Sequence, residues 1–204
     1  MIKKIVNFIL KPPFIWRLFR KTLDFFFGLY KKRFAVLKEF GITEQTSVID
    51  IACGTGEYSA ITNSQYLGVD MDKQYIDRAQ KLYGIKNKKF LCDDANTATI
   101  QDASYEAAIL IDATHHLTDD ENRALFKTLN RVAAKTIAIC DPITQEKRNL
   151  IGRFLISIDR GNYIRPKKKL LNLIQETLVI EKVKDMKMLS VTSVCILARP
   201  KRNL

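Results

Sequence analysis

His115 and His116 are the only histidines of the chain, and they stand side by side just past an apolar run, Ser104 to Ile111, that reads as a strand. A neutral imidazole near pH 7 can take a proton from a hydroxyl, so this pair marks a place where general-base chemistry is available. Acids mark the ends of the other apolar runs: Asp50 in the run Val48 to Ile51, Asp70 after Tyr66 to Val69, Asp94 after Lys89 to Cys92, Asp112 just before the histidines, and Asp141 after Thr136 to Cys140. Between the first two acids lies the small-residue turn Ala52-Cys53-Gly54-Thr55-Gly56. Glycines are needed where backbone must touch a ligand, and an acid at the second strand tip can accept both hydroxyls of a ribose. Strand, tight turn, helix and acid-tipped strand together form a unit that binds a molecule containing adenosine.

A dinucleotide is a poor fit to that unit. The pattern G-x-G-x-x-G meets Ala52, Gly54 and Glu57 in one register and Gly54, Gly56 and Ser59 in the other, and Glu57 would repel a pyrophosphate at the helix start. The stretch from Asp50 to Gly56 instead resembles the first motif of class I S-adenosylmethionine-dependent methyltransferases, an acid-x-Gly-x-Gly-x-Gly turn, with Ala52 in place of the first glycine. The resemblance implies S-adenosylmethionine as cofactor and S-adenosylhomocysteine as product. It also implies roles. Asp50 sits near the methionine end; Ala52, Cys53, Gly54 and Gly56 form the turn beneath the cofactor; Asp70 takes the ribose and Met71 lies against the adenine. Asp94 and Ala95 contact the adenine edge, with Asp93 the alternative by one position, and Ile111 closes the set. His115 and His116, nearly level as candidates, are the catalytic residues this resemblance leaves open, beside the reading that positioning alone suffices for methyl transfer.

The elements that must position these residues alternate. Five apolar runs are separated by helical segments: a short one after Gly56, one capped by Asp72 and ended at Gly84, and one opened by a capping box of Thr118 and Glu121 with Leu125, Leu129 and Val132 inward. Such alternation predicts a parallel sheet with helices on both faces. Helices near Lys147 to Ile158 and Lys167 to Gln175 then lead to two β-rich runs, Leu178 to Lys184 and Val191 to Ala198, that read as an antiparallel hairpin. A final antiparallel strand is a feature of the methyltransferase fold, so the expected architecture is a Rossmann-like, mostly parallel seven-stranded sheet with an antiparallel C-terminal strand. Residues 41–204 form this domain. The usual Lys-Pro-Gly-Gly turn before the fifth strand is replaced by Val132-Ala-Ala-Lys135, expected to be a surface turn.

Residues 1–40 read as a basic helical cap, two aromatic-rich helices split at Pro12-Pro13. With ten Lys/Arg against two acids this segment carries +8 of a net +12, residues 41–145 carry −5, and residues 146–204 carry +9. The cap is either a lid over the cleft or an amphipathic surface for anionic membrane through residues 1–33, and the two are compatible. No apolar run approaches the ~20 residues of a membrane span. Cys53, Cys92, Cys140 and Cys195 stand singly, without metal-ligand spacing, so no metal is expected and a reducing cytosol is the expected compartment.

The expected acceptor is a small molecule or lipid-like compound methylated at oxygen. Asn/Asp-Pro-Pro-Tyr/Phe and Pro-Cys patterns of base-modifying enzymes are absent. Asp112, Asp141, Arg160 and Arg165 are the candidate acceptor contacts, the two arginines for a carboxylate or phosphate, with an Asp159 to Arg ion pair as the competing use of that loop. Two other readings stand beside this one: an RNA methyltransferase suggested by the basic ends, and a non-catalytic cofactor-binding or membrane-associated protein.

Overall fold

The computed structural model describes residues 12–188 and 190–202. The helix expected before Pro12-Pro13 lies outside the described residues. The chain opens with α1 (Pro13–Phe27) and α2 (Leu29–Glu39), then runs β1 (Val48–Ile51), a 3-10 turn (Glu57–Ile61), β2 (Tyr66–Asp70), α3 (Lys73–Tyr83), β3 (Lys88–Cys92) and β4 (Tyr105–Ile111). A second 3-10 turn (Thr114–His116) precedes α4 (Asp119–Val132), β5 (Ala133–Pro142), α5 (Leu150–Ile158), α6 (Lys167–Gln175) and the hairpin β6 (Leu178–Met188) and β7 (Val191–Pro200).

All seven strands join one sheet in the order β3-β2-β1-β4-β5-β7-β6. Strands β1 to β5 are parallel to one another, and β7 is antiparallel to both β5 and β6. This is the Rossmann-like methyltransferase architecture. The hairpin is inserted with its second strand inward, so β6 forms the edge. Strand β1 is flanked by β2 on one side and β4 on the other, and the crevice beyond their carboxyl ends is where a ligand is expected in an open α/β sheet.

Apolar side chains on both faces explain why the strands read as continuous hydrophobic runs. Ala108 and Leu110 of β4 pack with Phe126 and Leu129 of α4 and with Leu170 and Ile174 of α6. The alternate residues, Ala107, Ile109 and Ile111, join Val36 and Leu37 of α2, Phe40, Tyr58 and Tyr66 on the other face. Because α2 contributes to this second core, a division at residue 40 passes through a single packed cluster.

Local signals act where the sequence places them. Asp72 accepts from the backbone of Gln74 at 2.8 Å to start α3, and Thr118 and Glu121 form a reciprocal capping box on α4. Three expectations need correction. The second basic helix is two, because the chain reverses at Gly28 (φ 64°), and the Asp24 carboxylate accepts from Tyr30 N at 2.7 Å to begin α2. Val132-Ala-Ala-Lys135 is no surface turn: Val132 ends α4, Ala133 starts β5, and both are fully buried, so no loop separates helix from strand. Helix α5 begins at Leu150 rather than near Lys147, where the Asn149 side chain accepts from Gly152 N at 2.8 Å.

Candidate active site

A cleft of about 260 Å³ lies at the carboxyl ends of β1, β2 and β4. Its floor is the turn after β1. Ala52 adopts φ 57°, the left-handed backbone that a glycine would take without strain, and an L-residue held there costs roughly 1–2 kcal/mol. The substitution of the first glycine therefore leaves the turn's path intact at an energetic cost. At Gly54 a Cβ would meet no atom within 4 Å, so its backbone faces open cleft. Gly56 has no such space: at φ 79° its Cβ would lie 2.7 Å from the Phe90 ring and 3.0 Å from Ala79. Gly56 acts through packing under the turn rather than by lining the cleft.

Asp70, the last residue of β2, lines the cleft and accepts from Gly54 N at 2.8 Å and from Asp72 N at 2.9 Å. These bonds hold the carboxylate beside the turn, while burial raises its pKa. Ala52, Cys53 and Ile111 also line the cleft. Asp50 does not. It is buried in β1, accepts from the Tyr66 hydroxyl at 2.6 Å, and burial pushes it up to about 8 against that hydrogen bond, so it is mostly uncharged at neutral pH. Met71 is exposed outside the lining, Asp94 caps its own turn by accepting from Asn96 N at 2.9 Å, and Ala95 is buried in the core with Ile49 and Ile51.

The two histidines part company. His115 is buried, its Nδ1 is 3.0 Å from Asp141 and its Nε2 3.2 Å from Asp159. Burial disfavours its charge, but the two carboxylates, Asp141 first, outweigh that and raise it to about 10. His115 is thus an imidazolium at neutral pH, with both nitrogens engaged. His116 is exposed on the cleft wall with its ring centroid 4.2 Å from that of His115. Loss of hydration, then the positive His115, lower it to about 4, which leaves a neutral imidazole at pH 7.

The loop 159–165 braces this corner. Gly161 presses on His115 so closely that a Cβ would fall 2.0 Å from the ring, and Tyr163 N donates to the His115 carbonyl at 2.9 Å. Arg165 is buried and donates to Asp119 and to the carbonyls of Thr114, Leu117 and Tyr163. Asp141 is equally buried, held by the Thr114 hydroxyl at 2.5 Å and by His115. Neither residue lines the cleft. The ion pair anticipated between Asp159 and an arginine runs instead from Asp159 to His115. Arg160 lines the cleft and donates to the Tyr75 hydroxyl at 2.9 Å.

Asp112 lines the cleft too, in a left-handed conformation (φ 56°), and is gripped from the N-terminal helices. Arg33 Nη2 donates to its Oδ1 at 2.5 Å while Nη1 reaches Oδ2, and Arg20 Nη1 donates to Oδ2 at 2.8 Å. Burial opposes the charge, yet Arg33 and then Arg20 hold this carboxyl well below the usual range. Arg17 pairs with Glu57 at 2.9 Å, so α1 lies over the cleft at Glu57 and Asp112. Arg17, Arg20 and Arg33, read from the sequence as part of a basic surface, turn inward. Their helical spacing marks a face without revealing the acids that face it.

Residues 48–136, from β1 to the start of β5, match the family model described as a methyltransferase domain. A comparison with curated proteins found none that matches. Among solved structures, an S-adenosylmethionine-dependent methyltransferase from Aquifex aeolicus shares 20% identity and a TM-score of 0.63 over 80% of this chain and 87% of its own. Geranyl diphosphate C-methyltransferase from Streptomyces coelicolor A3(2), in complex with Mg2+, geranyl diphosphate and S-adenosylhomocysteine, gives 12% and 0.65 over 83% and 78%. Magnesium protoporphyrin IX methyltransferase from Synechocystis PCC 6803, with bound S-adenosylhomocysteine, gives 16% and 0.61 over 88% and 82%. Residues 48–136 thus match a methyltransferase domain, and the chain as a whole shares the fold of S-adenosylmethionine-dependent methyltransferases. The open backbone at Gly54 beside the Asp70 carboxylate suits an adenosyl ligand such as S-adenosylmethionine.

Proposed function

We propose that the enzyme methylates an oxygen of a small, lipid-like acceptor, with His116 as general base. The observation that carries the reading is the neutral imidazole of His116 on the same cleft wall as the glycine turn and Asp70. The cofactor supplies an electrophilic methyl group on a sulfonium. Asp70 holds the ribose, the backbone at Gly54 borders the methionine portion, and Ala52, Cys53 and Ile111 shape the walls. His116 would accept the proton of the acceptor hydroxyl as its oxygen bonds to the methyl carbon and the methyl–sulfur bond breaks, the electron pair staying on sulfur to leave S-adenosylhomocysteine; the imidazolium of His115, locked between Asp141 and Asp159, keeps His116 unprotonated beforehand. Arg160 orients an anionic group of the acceptor. Asp141 and Arg165 serve the loop rather than the acceptor, and Asp112 anchors α1 and α2, which form the cap.

An apolar acceptor suits the surroundings. An open groove of about 670 Å³, lined by Phe25, Phe26, Tyr30 and Phe34, shares Glu57 with the cleft and offers room for a hydrocarbon tail. Two enzymes of this fold act on geranyl diphosphate and magnesium protoporphyrin IX, both with large apolar parts. The inward pairing of Arg17, Arg20 and Arg33 removes three cations from the surface an RNA would need. Among the described residues no helix is long and apolar enough to cross a membrane. The protein acts in the cytoplasm, in peripheral contact with anionic membrane through residues 1–33, where Phe14, Leu18 and Phe25 are exposed beside Lys21, Lys31 and Lys32. To test the acceptor class, the enzyme is incubated with methyl-labelled S-adenosylmethionine and either a total lipid extract or bulk RNA. We expect label in the organic phase, in a product whose new bond is an ether or ester. Label confined to RNA, or to a carbon or nitrogen of the lipid, would overturn the corresponding part of the proposal.

A further inference from the structure

We infer that α5 is a second membrane-docking arm, which with α1 sets the cleft mouth against an anionic bilayer so that the acceptor enters from the lipid. The inference rests on the lipid-like reading of the acceptor and adds the surface that would deliver it. Leu150, Ile151 and Phe154 of α5 are 70%, 65% and 54% exposed. The opposite side of the helix is fixed: Asn149 donates to Ser190 O at the hairpin turn, and a Cβ on Gly152 would fall 2.2 Å from the same carbonyl. One side of α5 is therefore pinned to the hairpin, and a contiguous apolar side is presented outward.

The position of α5 connects this side to chemistry. Its C-terminal end runs directly into Asp159, the partner of His115, and Arg160, which lines the cleft. Helix α1 delivers Arg20 to the same cleft and exposes Phe14, Leu18 and Phe25. Helix α2, which follows α1 after Gly28, reaches the same hairpin, where Lys32 Nζ donates to Lys187 O at 3.3 Å.

Charge selects the partner. Lys147, Arg148 and Arg153 are exposed at and before α5, Lys21 is exposed on α1, and Lys31 and Lys32 are exposed at the start of α2. Within residues 12–33 and 147–158 the one carboxylate, Asp24, is already engaged by Tyr30 N. Large apolar side chains bordered by cations that outnumber the one exposed acid beside them, Glu146, complement an anionic headgroup layer over a hydrocarbon interior.

The test is co-sedimentation of the full chain with phosphatidylglycerol–phosphatidylcholine vesicles and with phosphatidylcholine vesicles alone. We expect binding to the anionic vesicles that weakens as salt rises. The triple variant Leu150→Ser, Ile151→Ser, Phe154→Ser should bind roughly tenfold or more weakly, with S-adenosylhomocysteine affinity unchanged. The charge variant Lys147→Glu, Arg148→Glu, which touches no packed side, should weaken binding as well and serves if the triple variant does not fold. Parent-level binding by the α5 variants, with loss in Phe14→Ser, Leu18→Ser, Phe25→Ser, would overturn the second arm and leave the N-terminal contact standing. No binding by the parent would overturn docking altogether. Lipid methylation by a parent that ignores vesicles would keep the acceptor reading while removing this surface.

Discussion

Replacing Asp112 with alanine is expected to lower the unfolding free energy by about 3–5 kcal/mol, as removal of one partner from a buried ion pair does. Arg33 is 3% exposed and has two of its N–H groups on this carboxylate, and Arg20 adds a third bond. Without Asp112, Arg33 retains the Tyr58 hydroxyl at 3.0 Å, an uncharged acceptor, for a guanidinium that cannot shed its proton. The left-handed backbone at Asp112 adds to the cost, because alanine tolerates φ 56° less well than aspartate. Urea melts of parent and variant measure the difference, and limited proteolysis should show earlier cleavage within α1 as its tether to β4 is lost. Equal midpoints would mean that the two arginines are stabilised elsewhere and that Asp112 is available to the acceptor.

The largest effect on activity is expected at His116. With a lipid-like acceptor in hand, His116→Gln should reduce turnover by about a hundredfold or more and leave S-adenosylhomocysteine affinity nearly unchanged. The pH profile carries a sharper signature. A histidine of ordinary pKa loses its basic form as pH falls through about 6.5, whereas His116, lowered to about 4, stays neutral well below that. Turnover limited by this base should therefore hold as pH is lowered from 8 toward about 5 and decline only when His116 takes up its proton. His115→Gln should not mimic this. Its imidazolium lies between two carboxylates, so its loss should destabilise the loop and let the pKa of His116 rise toward the ordinary value. A fully active His116→Gln enzyme would reduce that residue to a positioning role.

What the sequence reveals and what it hides divide along the range of the interactions. The turn from Asp50 to Gly56, the Asp72 cap and the Thr118–Glu121 box are determined by neighbours within a few positions, and each is readable before any fold is known. The parallel order of β1 to β5 follows from their alternation with helices, and the hairpin from two adjacent β-rich runs. Partners across 25 or more positions are not readable in this way. Arg17, Arg20 and Arg33 sit among apolar residues at helical spacing, a pattern that suits a lipid-facing border, yet they are consumed by Glu57 and Asp112. His115 and His116 are chemically equivalent neighbours in the sequence. Only the approach of Asp141 and Asp159 from 26 and 44 positions away makes one a fixed cation and the other a neutral base. The loop 159–165 drew notice for its arginines, but its glycine, pressed against the His115 ring, and its tyrosine amide also hold the site in shape. The break at Gly28 was visible as a lone glycine in a long helical pattern, and the buried start of β5 was masked by an alanine pair that suits helix as readily as strand.

Titrating S-adenosylhomocysteine into the parent protein and into Asp70→Ala by calorimetry tests the cofactor cleft most directly. Asp70 is the carboxylate at the tip of β2, held by Gly54 N and Asp72 N beside the open turn, and its removal should take away the ribose partner. A charge-assisted hydrogen bond of this kind contributes roughly 1.5–3 kcal/mol, so we expect affinity to fall about ten- to a hundredfold in a variant that melts as the parent does. Equal affinity in Asp70→Ala, or tighter binding of NAD than of either adenosyl ligand by the parent, would contradict the assignment of this cleft.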